Sequence, residues 1–110
     1  MSNLIDLDDA IENLGLDKED FLELANDLKE FTDETIPKLK IAIESNNLDD
    51  LNHLAHAVKG ALLNLRFKTA GNIALQLERI GKGDSSENPA PLLSDFIEKM
   101  EKSYDYLKTL

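Results

Sequence analysis

From the first ten residues to the last ten, the apolar residues of this chain return every three or four positions, and no clear stretch alternates with period two. That spacing gathers them on one face of a helix and would leave a strand without an apolar side. β-branched residues are sparse, so the pattern predicts an all-α fold. Residues 6–14 form a short first helix with Leu7, Ala10, Ile11 and Leu14 on one face, stopped by Gly15. Asp17 caps a long second helix, with Asp20 at its third position. The inward face of that helix reads Phe21, Leu24, Ala25, Leu28, Phe31, Thr35, Leu39, Ala42 and Ile43. Pro37 interrupts it and predicts a kink near residues 33–37. A third helix over 48–65 turns Leu51, Leu54, Ala55, Val58, Leu62 and Leu65 inward, and a fourth over 68–80 turns Ala70, Ile73, Ala74, Leu77 and Ile80 inward. After a loop at 81–86, Asn88, Pro89 and Pro91 mark entry into the last helix. Leu93, Phe96, Ile97, Met100, Tyr104 and Leu107 are its core face.

Short joints between long amphipathic helices favour antiparallel neighbours. The expected architecture is an up-down-up-down antiparallel four-helix bundle with an additional short N-terminal helix, in a single domain over residues 1–110. No apolar run nears the ~20 residues that span a bilayer. The acids Asp6, Asp8 and Asp9 do not read as a signal peptide. The expectation is a soluble, cytoplasmic monomer without membrane contact. Met1 and the lack of flanking linker favour a free-standing protein over an excised domain.

There is no cysteine, so thiolate nucleophiles, thiolate metal sites and disulfides are excluded. The net charge of −10 argues against nucleic acid as a partner. The charge is uneven, however. Residues 53–82 hold Lys59, Arg66, Lys68, Arg79 and Lys82 against the single acid Glu78. A basic segment in an acidic protein points to an anion or an acidic surface.

On a helical wheel His56 lies about 150° from the centre of the third helix's inward stripe. It therefore faces solvent, with Lys59 three positions on and Gly60 four. A glycine inside a helix costs about 1 kcal/mol relative to alanine. Here it clears space one turn from the imidazole. Lys59 can reach an anion held on the ring, and Leu63 and Phe67 continue the outer face as an apolar rim. On the fourth helix Gly71, Leu75, Glu78 and Lys82 share a flank. If that flank meets the third helix, Glu78 accepts a hydrogen bond from His56 and Lys82 adds positive potential. Imidazole titrates near ~6.5, so a neutral nucleophile is available at cellular pH. No glycine-rich nucleotide loop is present.

The run His56-Ala57-Val58-Lys59-Gly60 resembles the H-x-x-K-G motif of histidine-containing phosphotransfer (HPt) domains of two-component phosphorelays. The resemblance extends to Ala55 before the histidine, Asn64 after it, polar Glu78, basic Lys82 and the order of helices along nearly the whole chain. It implies a phosphoryl carrier without kinase activity of its own. His56 would be phosphorylated by a receiver-domain phospho-aspartate and would pass the group to another receiver aspartate. Lys59 and Lys82 would stabilise phosphate charge, Gly60 would give clearance, and Glu78 would orient the ring. Leu63, Asn64, Arg66, Phe67 and Leu75 would surround the docked partner. The partners would be response-regulator receiver domains and hybrid sensor kinases. The chain would need no cofactor, with Mg²⁺ supplied by the receiver. One departure stands out: relatives usually carry glycine where this chain has Arg66. That substitution bears on the turn into the fourth helix, with Arg66 either reaching the partner or solvated.

Other readings weigh less. Asp50-x-x-His53 is a carboxylate-histidine element of the di-iron kind, but no second element or inward glutamates accompany it. His53 has no lysine or glycine at the matching offsets and reads as solvated. The runner-up in function is a phosphorylation-independent docking bundle that binds a receiver or another signalling protein. A self-sufficient enzyme would turn over a small substrate without a partner.

Overall fold

The structure is a computed structural model and describes residues 4–110. Its elements are α1 (Leu7–Leu14), α2 (Lys18–Glu44), α3 (Leu48–Asn64), α4 (Lys68–Gly81) and α5 (Pro89–Leu107), with no strand among the described residues. Each of the four long helices packs on its chain neighbour, α5 closes back on α2, and α1 lies against α2. The result is an elongated helical bundle of 41 × 24 × 22 Å. Among the described residues no helix is long and apolar enough to cross a membrane.

Local chemistry sets the helix ends. The side chains of Asp6, Asp17 and Asn47 accept the backbone N–H three residues on, and Asn88 caps α5 ahead of Pro89. Gly15 closes α1 in the left-handed conformation. Pro37 lies inside α2 without ending it, and the helix runs on for about two turns beyond. The expected kink is therefore not a break.

Two features of the sequence pattern are corrected. On α2, Leu24 and Phe31 are exposed rather than inward, and Thr32 is fully buried. Thr32 can occupy the core because its hydroxyl donates to the carbonyl of Leu28 at 2.8 Å, leaving no polar group unmet. Phe67 is not on the outer face of α3 but wholly buried. Its ring stacks on Phe21 (centroids 6.4 Å apart) and tilts against Tyr104 (5.6 Å).

The cause is the way α3 ends. Phe67 N–H donates to Leu62 O (2.9 Å) and Arg66 N–H to Leu63 O (3.0 Å). This is a Schellman closure, and it puts the residue after the cap in the left-handed region. That residue is Arg66, at φ 65°. The reversal throws Phe67 inward, into the same core as Leu62. Left-handed backbone costs a non-glycine residue roughly 1 kcal/mol or more. The Arg66 side chain offsets this. Its guanidinium donates to the carbonyl of Asn64 (2.8 Å) and to Asp9 of α1 (2.6 Å). The Arg66 carbonyl also accepts the N–H of Asp6 (2.9 Å), and Lys68 pairs with the Asp6 carboxylate (3.2 Å). Arg66 thus fastens α1 to the α3–α4 turn, with its side chain directed to Asp9 rather than fully solvated.

A Phe67→Ala chain should lose about 3–5 kcal/mol of stability, as for a core aromatic. Urea unfolding followed by far-UV circular dichroism measures this. A loss under 1 kcal/mol would contradict the core placement.

Candidate functional site

α3 and α4 share the most extensive helix contact, and glycine makes it close. Gly71 and Gly81 lie on the α4 face turned to α3. A methyl group at 71 would collide with the Leu63 side chain, and one at 81 with the backbone of Asn52. Between the two glycines, one turn before Gly81, is Glu78, the only charged residue buried among the described residues. A carboxylate in such a place must be met by donors and cations. Its Oε1 accepts Lys59 Nζ at 2.7 Å, its Oε2 accepts the Nδ1–H of His56, and Lys82 Nζ lies 3.8 Å from Oε2. Burial alone would push this carboxyl up. The hydrogen bonds from Lys59 and His56 and the charges of Lys59 and Lys82 outweigh it and hold the group below its ordinary value. Glu78 is therefore an anion at neutral pH, and the shared hydrogen belongs to the ring.

That assignment fixes the imidazole. With Nδ1 donating to Glu78, Nε2 carries the lone pair. The His56 side chain is 67% exposed although its inner nitrogen is anchored. Among the described residues no partner is found for Nε2. The result is a nucleophile with a set tautomer and a set direction, open to an incoming group. Lys59 is one turn away and 21% exposed, and Lys82 is half exposed at the edge.

Gly60 differs from the α4 glycines. A methyl group there would meet nothing within 4 Å, and its φ is not in the left-handed region. Neither packing nor backbone within the described residues calls for glycine at this position, and it leaves a flat spot beside His56.

The structure brings His56, Lys59, Gly60, Glu78 and Lys82 together around one exposed patch. It does not gather all the residues of the expected rim. Leu63 and Leu75 are half-buried, Leu63 against Gly71, while Asn64 is exposed. Arg66 is turned to α1 and Phe67 is in the core. Apolar surface appears instead on α2, where Leu24, Phe31 and Ile41 are exposed. Ile41 and Lys38 share a shallow groove with Asp50, His53 and Leu54 of α3, one turn before His56. Ile41 lies off the inward stripe and was detectable as a surface residue. Leu24 and Phe31 carried no such signal, since both fit the stripe. His53 is exposed, and its Nδ1 donates to the Asp49 carbonyl (2.8 Å).

Compared with known families, the chain matches the Hpt domain over residues 18–109. It belongs to the Hpt domain family. No curated protein and no solved structure matches it. Membership of the Hpt family supports a histidine phosphotransfer role in two-component systems, and the exposed, anchored His56 is chemically suited to one. The Hpt match begins at Lys18, the first residue of α2, so α1 and its anchoring to Arg66 lie at the edge of the family pattern or outside it.

Two outcomes follow from the geometry. Gly60→Ala should gain up to about 1 kcal/mol, since the added methyl has room and lowers the helix penalty. A loss of stability in urea unfolding would show an internal packing role instead. The second concerns acid. Because the Glu78 carboxyl is held below its reference value of 4.5, the unfolded chain takes up that proton more readily than the folded one. Its stabilisation is full at neutral pH and is lost as pH falls below that value and through the lowered folded one. The stability gap between wild type and Glu78→Gln should shrink in acid, read as urea midpoints against pH. A gap constant with pH would refute the linkage.

Proposed function

We propose that this chain is a phosphorelay intermediate. His56 Nε2 accepts a phosphoryl group from the phospho-aspartate of a response-regulator receiver domain and later gives it to another receiver aspartate. The observation that carries this reading is the exposed His56, with its Nδ1 held by buried Glu78 beside an unfilled space at Gly60. Phosphoryl transfer asks mainly for in-line positioning and neutralisation of charge. The chain supplies the aimed nitrogen and the cations Lys59 and Lys82. The receiver supplies the second half of the site, including Mg²⁺.

Further parts of the reading rest on the same base. Residues 1–110 act as one domain, with the four long helices arranged up-down-up-down and antiparallel. The receiver sits over His56 and Gly60 and extends towards the Ile41–Leu54 groove on the α2 side, where exposed apolar residues give it a seat. Leu63, Asn64 and Leu75 border it on the other side. The chain works as a monomer in the cytoplasm, with hybrid sensor kinases among its partners.

The test is transfer of label from a radiolabelled phospho-receiver to wild type and to His56→Gln. Label on wild type alone, lost in acid and kept in base once the chain is denatured, is the expected result. Label retained by His56→Gln would overturn the site. A folded chain that binds a receiver yet takes no label would favour the docking bundle.

A further inference from the structure

Phosphorylation changes what His56 presents to Glu78. In the resting state the neutral ring has its hydrogen on Nδ1 and donates it to Glu78 Oε2. When the Nε2 lone pair forms the N–P bond, the P–O bond to the partner's aspartate breaks and its electron pair leaves with the carboxylate oxygen. The ring then carries the phosphoryl group on Nε2, the original hydrogen on Nδ1 and one positive charge. It becomes neutral only by giving up the Nδ1 proton, and a bare Nδ1 would then point its lone pair at the carboxylate oxygens of Glu78.

The surroundings oppose that loss. Among the described residues, the ionisable groups within ion-pair reach of Glu78 are His56 and Lys59 on α3 and Lys82 on α4, and neither α2 nor α5 adds one. The two lysines keep Glu78 anionic, so it does not take the proton itself. An anion buried against a ring favours the charged ring. The protonation state matters because the bond that next breaks is N–P. From the protonated ring the leaving group is a neutral imidazole. From the deprotonated ring it is an imidazolate anion, a far poorer leaving group.

We propose that Glu78 keeps the phosphorylated His56 ring protonated at Nδ1, and thereby holds the phosphoryl group in its readily transferred, short-lived form at and above neutral pH. This rests on the carrier reading above and adds a property to it. Glu78 is a positioning residue in this scheme, acting on the phosphoryl group only through the imidazole. A glutamine in its place would have the opposite effect, since an amide can turn its NH₂ towards a bare Nδ1 and stabilise the neutral, slow-leaving ring.

The test uses the full chain loaded with phosphoramidate, cleared of donor, and followed by loss of phosphohistidine across the pH range. In wild type the decay rate should stay high into alkali. In Glu78→Gln the profile should bend about one pH unit or more earlier, as expected when a neighbouring opposite charge is removed. Alkaline half-lives would then differ by about tenfold, and in mild acid the two would converge. A role confined to structure would alter loading, or scale all rates alike, without moving the bend. Coincident profiles overturn the inference and leave the carrier reading standing. If neither phosphoramidate nor a phospho-receiver loads His56, both fall. Should the variant fail to fold or load, ¹⁵N chemical shifts of the wild-type phosphoprotein decide the matter. A protonated Nδ1 above neutral pH is expected, and a bare one overturns the proposal.

Discussion

A carboxylate taken out of water is tolerable only if other groups replace the water it loses, and Glu78 meets that condition with side chains from two helices. Lys59 and His56 reach it from α3, and Lys82 supports it from its own helix. Removing one partner of a buried charge leaves a charge with nothing to answer it, which is costly. Glu78 therefore fixes more than a ring angle. It sets the register of α4 against α3, because only one placement lets the carboxylate meet both donors. The fold and the chemistry of His56 share this contact, so neither varies freely without the other.

The glycines show how the contact is reached. Gly71 and Gly81 are close-approach residues, and their missing side chains let α4 lie against α3 near Leu63 and Asn52. Gly60 has no such task inside the molecule. One pair of glycines builds the site from behind, and a third keeps its front clear. Between them the imidazole is anchored on one nitrogen and free on the other. Its orientation is settled within the chain itself, the kind of preorganisation that lowers the entropic part of a group-transfer barrier.

What could be read from the sequence followed the range of the interactions. The helices were legible because their period is local. His56, Lys59 and Gly60 were legible as a set because they sit three and four positions apart on one helix. Glu78 is twenty-two residues away; the sequence placed it on a flank of the fourth helix from which it could meet His56, but its burial depends on helix packing. Phe67 was misplaced because the wheel of α3 was carried past its end. The left-handed turn at Arg66 reverses the chain there, and arginine gives no warning of a conformation that glycine would have advertised. On α2 hydrophobicity alone misassigned Leu24 and Phe31. It ranks them above Thr32 for the core, while a threonine bonded back to its own helix can be buried at little cost.

Arg66 also joins two parts of the chain that would otherwise be free to change separately. Its strained backbone is offset by bonds that include Asp9 of α1, and its carbonyl holds the start of that helix. In a shortened chain beginning at Lys18, the arginine would keep the strain and lose those partners. Glycine would then be the better residue at 66. The first helix and the identity of residue 66 are thus energetically coupled, and removing one changes which residue best suits the other.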